Sequence, residues 1–476
     1  MQAEIEADII IRGGQVVSAD AVFSADVAIR GEKIVAVGKG LAGKRVIDAS
    51  GKYVMPGAID SHVHFRSPGY DYKEDWQTGT GAAARGGVTT VLEMPNTNPP
   101  TGTLAALKMK QDIAARQAYV DYGIYGLLDE NNIDQLEALI DGGVSGFKCF
   151  MGNTFGDLPA PSDGAMLEGF EILARRGMRC TVHAENASIM ARRQAKLEAA
   201  GRTDPLAHLA ARPEVCAIEA VSRAVVFAEW TGARLHIAHK SSKDALYVLR
   251  DAKARGVDVT VETCPQYLLL STEDHKKLGN VLRVNPPIRE PGHQEPLWEA
   301  LRQGVVDMIA TDHAPHLPEE KTRASCWQCD CGFPGVETQM PLMLTEVNRG
   351  RMSISDYVRW ACVNPAKAWG FFPNKGVIQP DADADIVLVD MKREWSIDQS
   401  QLFSKSKISP WHGRKVHGGP VMTLVRGKIV MEAGRMIAEP GWGKPAKQKM
   451  PAPAPRNLEK TTAAVTSARE SLRKVG

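Results

Sequence analysis

The chain has 476 residues, 43% of them hydrophobic and 24% charged, with 58 Lys+Arg against 56 Asp+Glu and a formal net charge of +2. That length suits a large barrel with an appended unit, and the apolar share is enough for a sizeable core. The balanced charge excludes a field that would gather nucleic acid or an anionic membrane, so the expected ligand is a small molecule and the expected partners are copies of the same chain, as a homodimer or homotetramer.

Met1–Asp8 is acidic and lacks an apolar segment behind a basic start, so no signal peptide is expected. Apolar runs such as Val305–Ala310 are too short to span a bilayer, and a cytoplasmic location follows as the expectation. In that compartment the eight cysteines are expected to be reduced rather than paired.

In chain order, Asp8–Arg12, Ala25–Arg30 and Lys33–Val37 read as short strands broken by Gly13–Gly14 and Gly31–Glu32. From about Tyr53 the pattern changes to short β-branched runs separated by longer helical stretches. The strand candidates are Ala58–His64, Thr89–Met94, Val120–Tyr125, Gly146–Phe150, Cys180–His183, Leu235–His239, Val257–Glu262, Leu282–Val284 and Met308–Thr311. Gln111–Gln117, Met166–Arg176, Pro213–Trp230 and Ser242–Arg255 carry helical patterns between them. Such alternation predicts a parallel sheet, and roughly eight repeats over about 300 residues predict a closed (β/α)₈ barrel, an α/β fold. Strands return at Ala384–Val389, Val421–Val425 and Lys428–Glu432. Both chain ends are therefore expected to join in one small β-sandwich, giving units at 1–55, 56–372 (barrel), 373–440 and a tail at 441–476. The tail is rich in Pro, Ala and Lys, with eight basic residues against two acidic ones, and is expected to be flexible, with a short helix near Ala463–Val475.

The chemistry-bearing residues sit at strand ends. His62 and His64 are two apart on one strand and face the same way. Lys148, His183, His239 and Asp312 each end or follow a strand candidate. Barrel strand C-termini gather at one rim, so these six residues converge from five strands, and four imidazoles with a carboxylate are ligands for zinc-like divalent ions. A buried ammonium beside cations is strongly disfavoured, so Lys148 fits only if its amine is carboxylated to an anion able to bridge two metals. His236 and His313 read as structural, and Gly86–Gly87 as a turn.

The segment Asp60-Ser61-His62-Val63-His64-Phe65-Arg66-Ser67-Pro68-Gly69 resembles the first-strand motif of the dihydroorotase, allantoinase and hydantoinase branch of the amidohydrolases. Gly146-Phe147-Lys148, Val182-His183-Ala184-Glu185-Asn186 and Thr311-Asp312-His313-Ala314-Pro315-His316 resemble its later motifs, and the likeness runs to about Glu439. The resemblance implies two zinc-like ions: one held by His62, His64 and Asp312, the other by His183 and His239, with carboxylated Lys148 and a hydroxide between them. It implies hydrolysis of a ring amide, with Asp312 taking a proton from the nucleophile and passing it to the leaving nitrogen.

Within the branch, Arg66, Met94-Pro95-Asn96-Thr97, Val284-Asn285-Pro286-Pro287-Ile288-Arg289 and His316 look most like dihydroorotase. By that resemblance Arg66, Asn96 and His316 hold a substrate carboxylate, Asn285 lies near the ring, and dihydroorotate is the first expected substrate. Thr263-Cys264-Pro265-Gln266-Tyr267-Leu268, Lys73-Glu74-Asp75-Trp76 and the ending from Trp369 through Lys375-Gly376 look instead like hydantoinases and allantoinases, the alternative reading. Cys326-Trp327-Gln328-Cys329-Asp330-Cys331 matches neither and reads as an ordinary reduced loop, because a zinc site there lacks a fourth ligand. A metal-free scaffold relative is the competing class, and retention of all six ligand positions argues against it.

Overall fold

The structure is a computed structural model and describes residues 7–152, 154–156 and 158–449. Five strands open the chain: β1 (Ala7–Val17), β2 (Val22–Arg30), β3 (Lys33–Gly38), β4 (Gly43–Asp48) and β5 (Tyr53–Pro56). Eight follow, interleaved with helices: β6 (Ala58–Val63), β7 (Val88–Glu93), β8 (Asp121–Leu128), β9 (Gly146–Phe150), β10 (Arg179–His183), β11 (Arg234–Ile237), β12 (Val259–Thr263) and β13 (Met308–Ile309). Four close the described chain: β14 (Ile386–Ser396), β15 (Lys415–Val425), β16 (Lys428–Glu432) and β17 (Arg435–Met436).

Strands β6 to β13 pair in parallel in simple chain order. The ring closes where Val63 bridges His313 and the His64 amide donates to the His313 carbonyl at 2.7 Å. This is the expected barrel. Nine strand candidates compete for eight places, and Leu282–Val284 is the one that fails: Gly279–Leu282 forms a 3₁₀ turn instead, leading into Asn285 at the rim. A three-residue apolar run cannot by itself distinguish a strand from a packed loop.

The helices begin where short polar side chains cap them. Asp75 accepts from the Thr78 amide at 2.7 Å before Trp76–Arg85, and Thr103, Ser162 and Asn186 do the same for Leu104–Gln117, Asp163–Arg175 and Ala187–Ala199. Among the described residues no helix is long and apolar enough to cross a membrane.

The two chain ends meet through β5 and β14, which pair antiparallel, in one nine-stranded sheet. Its core holds Ile11, Val27, Ile47, Val54, Ile386, Leu388 and Leu424. Buried ion pairs tie it to the barrel floor. Lys375 contacts Asp121 of β8 at 2.7 Å and Asp385 at 2.6 Å, and Arg426 reaches Asp121 at 3.0 Å.

Part of the segment expected to be flexible is fixed by this floor. The Gly441 and Gly443 amides donate to the Ala118 carbonyl, Pro445 bridges Tyr122, Ala446 packs on the cluster of Ile59, Leu92, Tyr125 and Trp369, and the Lys449 amide donates to the Gly370 carbonyl. The Trp442 ring lies 4.6 Å from the Arg426 guanidinium. Composition alone reads 441–449 as solvated tail. The physical reason for the difference is the exposed backbone at the barrel's lower end, which this strap covers. The helix expected near Ala463–Val475 lies outside the described residues.

Candidate active site

His62 lies on β6 with His64 just beyond it, Lys148 on β9 and His183 on β10, while His239 and Asp312 lie shortly after β11 and β13. All six are buried and line one cavity at the strand C-termini. The Asp312 carboxylate (Oδ1) lies 3.3 Å from His62 Nε2 and 3.1 Å from His64 Nε2. His183 Nδ1 and His239 Nε2 are 3.0 Å apart. Ligand atoms of His62, His239 and Asp312 all fall within 4.8 Å of one another, a spacing able to hold a metal ion. His239 and Asp312 adopt positive φ, 35° and 51°, in a region that non-glycine residues seldom occupy and that clusters at functional sites.

The opposite ring nitrogens are held from behind. His62 Nδ1 meets Glu262 Oε1 at 2.5 Å, His64 Nδ1 meets Asn96 Oδ1 at 2.7 Å, and His183 Nε2 meets Glu185 Oε2 at 2.8 Å. An acceptor on the outer nitrogen places the ring proton there and turns the inner lone pair toward the common centre.

Glu262, the last residue of its strand candidate, also takes the Ser61 hydroxyl at 2.8 Å, faces His236 Nε2 at 3.0 Å and accepts from the His239 amide at 3.2 Å. Burial opposes its charge, yet His62 and His236 hold it well below the usual carboxylate range. Glu185 is held at about 2 against burial by Arg212 and His183. Neither carboxylate is singled out by the motif reading, although Glu185 lies two residues beyond His183.

Burial pushes His62 down to about 4 and Lys148 down to about 8. The Lys148 amine is completely enclosed and has no hydrogen-bond partner among the described residues. Burial raises Asp312, with His62 and Lys148 pulling the other way.

Of the residues expected to contact substrate, Arg66, Asn96 and Asn285 line the cavity and His316 does not. His316 is fully buried behind Arg66, with its Nε2 3.0 Å from Arg66 Nη2. Asn96 spends its carbonyl on His64. Arg66 sits at φ 62°, stacks 4.4 Å from the Phe155 ring, and leaves Nη1 without a partner among the described residues. Thr154 and Phe155, on the loop after β9, leave a space of only about 30 Å³. Larger surface grooves, about 570 Å³ beside Arg349 and Arg414 and about 480 Å³ beside Trp395 and His417, contain none of the converging side chains.

His236 is buried against Glu262 and Trp369, and His313 accepts the Gly335 amide at 3.1 Å, so both act within the framework. The thiols of Cys326, Cys329 and Cys331 are free, and no metal-type cluster among the described residues includes them. Cys331 reaches the cavity wall.

Comparison with known proteins agrees with this geometry. Residues 53–430 match the Amidohydrolase family. An L-hydantoinase of Paenarthrobacter aurescens is 37% identical over 446 residues, covering 92% of this chain and 97% of the relative. An allantoinase of Enterococcus faecalis (strain ATCC 700802 / V583) is 35% identical over 437 residues, covering 90% and 96%. Among solved structures, the L-hydantoinase (dihydropyrimidinase) from Arthrobacter aurescens superposes with a TM-score of 0.90 at 36% identity, covering 93% of this chain and all of that one. The dihydropyrimidinase from Brevibacillus agri NCHU1002 gives 0.87 at 31%, covering 93% and 98%. With its eight-stranded barrel and its converging histidines, the chain belongs to the amidohydrolase family, in the branch that holds the hydantoinases and allantoinases.

Proposed function

We propose that this protein hydrolyses the ring amide of a small cyclic substrate of the hydantoin, dihydropyrimidine or allantoin kind, using two divalent ions, zinc by preference, and a carboxylated Lys148. The observation that carries the reading is the orientation of the histidines: three have their outer nitrogens engaged by Glu262, Asn96 and Glu185, and their inner nitrogens meet around Asp312 and His239. A core histidine needs no such arrangement, whereas metal ligands do. The orphaned Lys148 amine amid four histidines fits the same centre once carbon dioxide has added to it with loss of a proton, since the resulting carbamate adds anionic oxygens to the Asp312 carboxylate already there.

His62, His64 and Asp312 would hold one cation, His183 and His239 the other, and Lys148 both. Cations bound there lower the pKa of water and polarise a ring carbonyl. The chain's own part is proton traffic and enclosure. Asp312, whose carboxylate lies among the converging histidines, accepts the proton of the attacking water and delivers it to the ring nitrogen, which leaves only once protonated. Asn285, whose Oδ1 has no hydrogen-bond partner among the described residues, stands at the cavity wall and would face the ring. Phe155, stacked on Arg66, stands over the cavity from the loop after β9 and would limit the entry of bulk water.

The relatives support the hydantoinase or allantoinase alternative over dihydroorotate, which the motif reading ranks first. One observation keeps an acidic ring as a second reading: the unpartnered Nη1 of Arg66, a buried guanidinium suited to a carboxylate. The deciding experiment loads the purified protein with zinc or manganese, counts bound metal, and measures kcat/KM on hydantoin, dihydrouracil, allantoin and dihydroorotate for wild type and Arg66→Met. Turnover of a neutral ring that survives Arg66→Met supports the first reading. Preference for dihydroorotate, lost in the variant, selects the second, and active protein without transition metal refutes both.

A further inference from the structure

The cysteine-rich loop has no part in the chemistry above, yet it is anchored beneath Arg66. Gly332, at φ 129°, packs its Cα on Ala314, where an added Cβ would sit 2.5 Å from the Ala314 carbonyl oxygen. Lys321 Nζ donates to the Asp330 carbonyl at 2.8 Å, and the Asp330 amide donates to the Glu320 carbonyl at 2.9 Å. The Asp330 side chain so fixed accepts from Lys73 Nζ at 2.8 Å and lies 3.1 Å from His316 Nδ1. Lys73 is itself 3.0 Å from His316 Nδ1 and 3.0 Å from Glu320. On the other side of the ring, His316 Nε2 faces two groups at nearly equal range: Arg66 Nη2 at 3.0 Å and the Cys331 carbonyl at 3.1 Å.

These distances permit two neutral tautomers. With the proton on Nδ1, the ring donates to Asp330 and its Nε2 lone pair accepts from Arg66. With the proton on Nε2, the ring donates to the Cys331 carbonyl, Nδ1 accepts from Lys73, and an N–H faces the N–H of Arg66, which then has no acceptor and is pushed away. Burial, with the Arg66 charge beside it, lowers His316 to about 4, so the ring is neutral at ordinary pH and the choice of tautomer remains open.

We propose that Asp330 is a positioning residue for substrate specificity: held by Lys73, it keeps the His316 proton on Nδ1, so that His316 grips Arg66 by Nη2 and leaves Nη1 at the cavity wall for an acceptor atom on the ring substituent. The inference rests on the reading of the cavity as a cyclic-amide site, with Arg66 as its anion contact. It makes His316 a support for Arg66 and not a substrate contact, and it gives the otherwise unmatched loop a function.

Two measurements on metal-loaded, full-length protein test it. In ¹⁵N-histidine-labelled protein, the ring nitrogens of His316, assigned by their loss in His316→Gln, are expected to show Nδ1 protonated in wild type and Nε2 protonated in Asp330→Asn or, as a second variant, Asp330→Ala, in which Lys73 is left to donate to Nδ1. In kinetics, Asp330→Asn is expected to lower kcat/KM for dihydroorotate by roughly 10–100-fold, mainly through KM, and to add no loss on top of Arg66→Met. A wild-type proton on Nε2, a tautomer unchanged in both variants, or an equal loss with and without Arg66 overturns the proposal. Wild type inert toward dihydroorotate overturns the anion reading of Arg66 but not the relay, which the nitrogen shifts decide by themselves.

Discussion

Glu262→Gln removes one charge from a position with no solvent contact, where three donors are hydrogen-bonded to it and His236 Nε2 faces it. The carboxylate meets His62 Nδ1 at 2.5 Å, Ser61 Oγ at 2.8 Å, His236 Nε2 at 3.0 Å and the His239 amide at 3.2 Å. Gln offers one acceptor oxygen and turns an NH₂ group toward the remaining donors, so at least one donor loses its partner. A hydrogen bond to a charged group is worth roughly 1.5–3 kcal/mol, and about 1.4 kcal/mol is tenfold in an equilibrium constant. The loss falls on the tautomer of His62 and on the placing of His239, one histidine from each half of the site. The variant is therefore expected to bind divalent metal ~10–100-fold more weakly. The assay is zinc retention against a graded chelator series, with apo-protein melting followed separately so that lost fold is not mistaken for lost affinity. Metal affinity within twofold of wild type, in a folded variant, refutes the argument that Glu262 orients the ligands.

Lys148→Ala is expected to lose both metal and turnover, and added short carboxylic acids are expected to restore part of each by replacing the bridge; a wild-type mass showing unmodified lysine in active, fully metallated protein contradicts this. Asp312→Asn keeps the fold and loses ~10²–10⁴-fold in kcat, the usual worth of general acid–base catalysis, and a loss of only a few-fold means that another group carries the proton. Truncation after Lys449 is expected to leave melting temperature and kcat unchanged, whereas truncation after Pro440 removes Trp442 and the strap hydrogen bonds and costs on the order of 2–4 kcal/mol of stability; equal melting of the two truncations shows that the strap contributes nothing.

The barrel and the six converging residues are legible in the chain itself, because strand periodicity and the rule that strand C-termini share a rim are both local signals added together. His62 and His64 declare a common face by their spacing, and Lys148, His183, His239 and Asp312 by their places at strand ends. The same logic fails where a residue acts through another far along the chain. Glu262 lies 200 residues from His62, Asp330 meets Lys73 across 257, and His316 is separated from Arg66 by 250, so no periodicity relates them. Burial decides these cases. Only the packed barrel shows that His316 stands behind Arg66 and not beside the cavity, that Asn96 spends its carbonyl on His64, and that residues 441–449, polar and proline-rich by composition, cover the barrel floor. Residue type and local spacing determined which groups are candidates to bind metal and move protons. Tertiary structure alone decided which of them face the cavity and which hold the others in place, because hydrogen-bond partners are chosen by proximity in the folded chain.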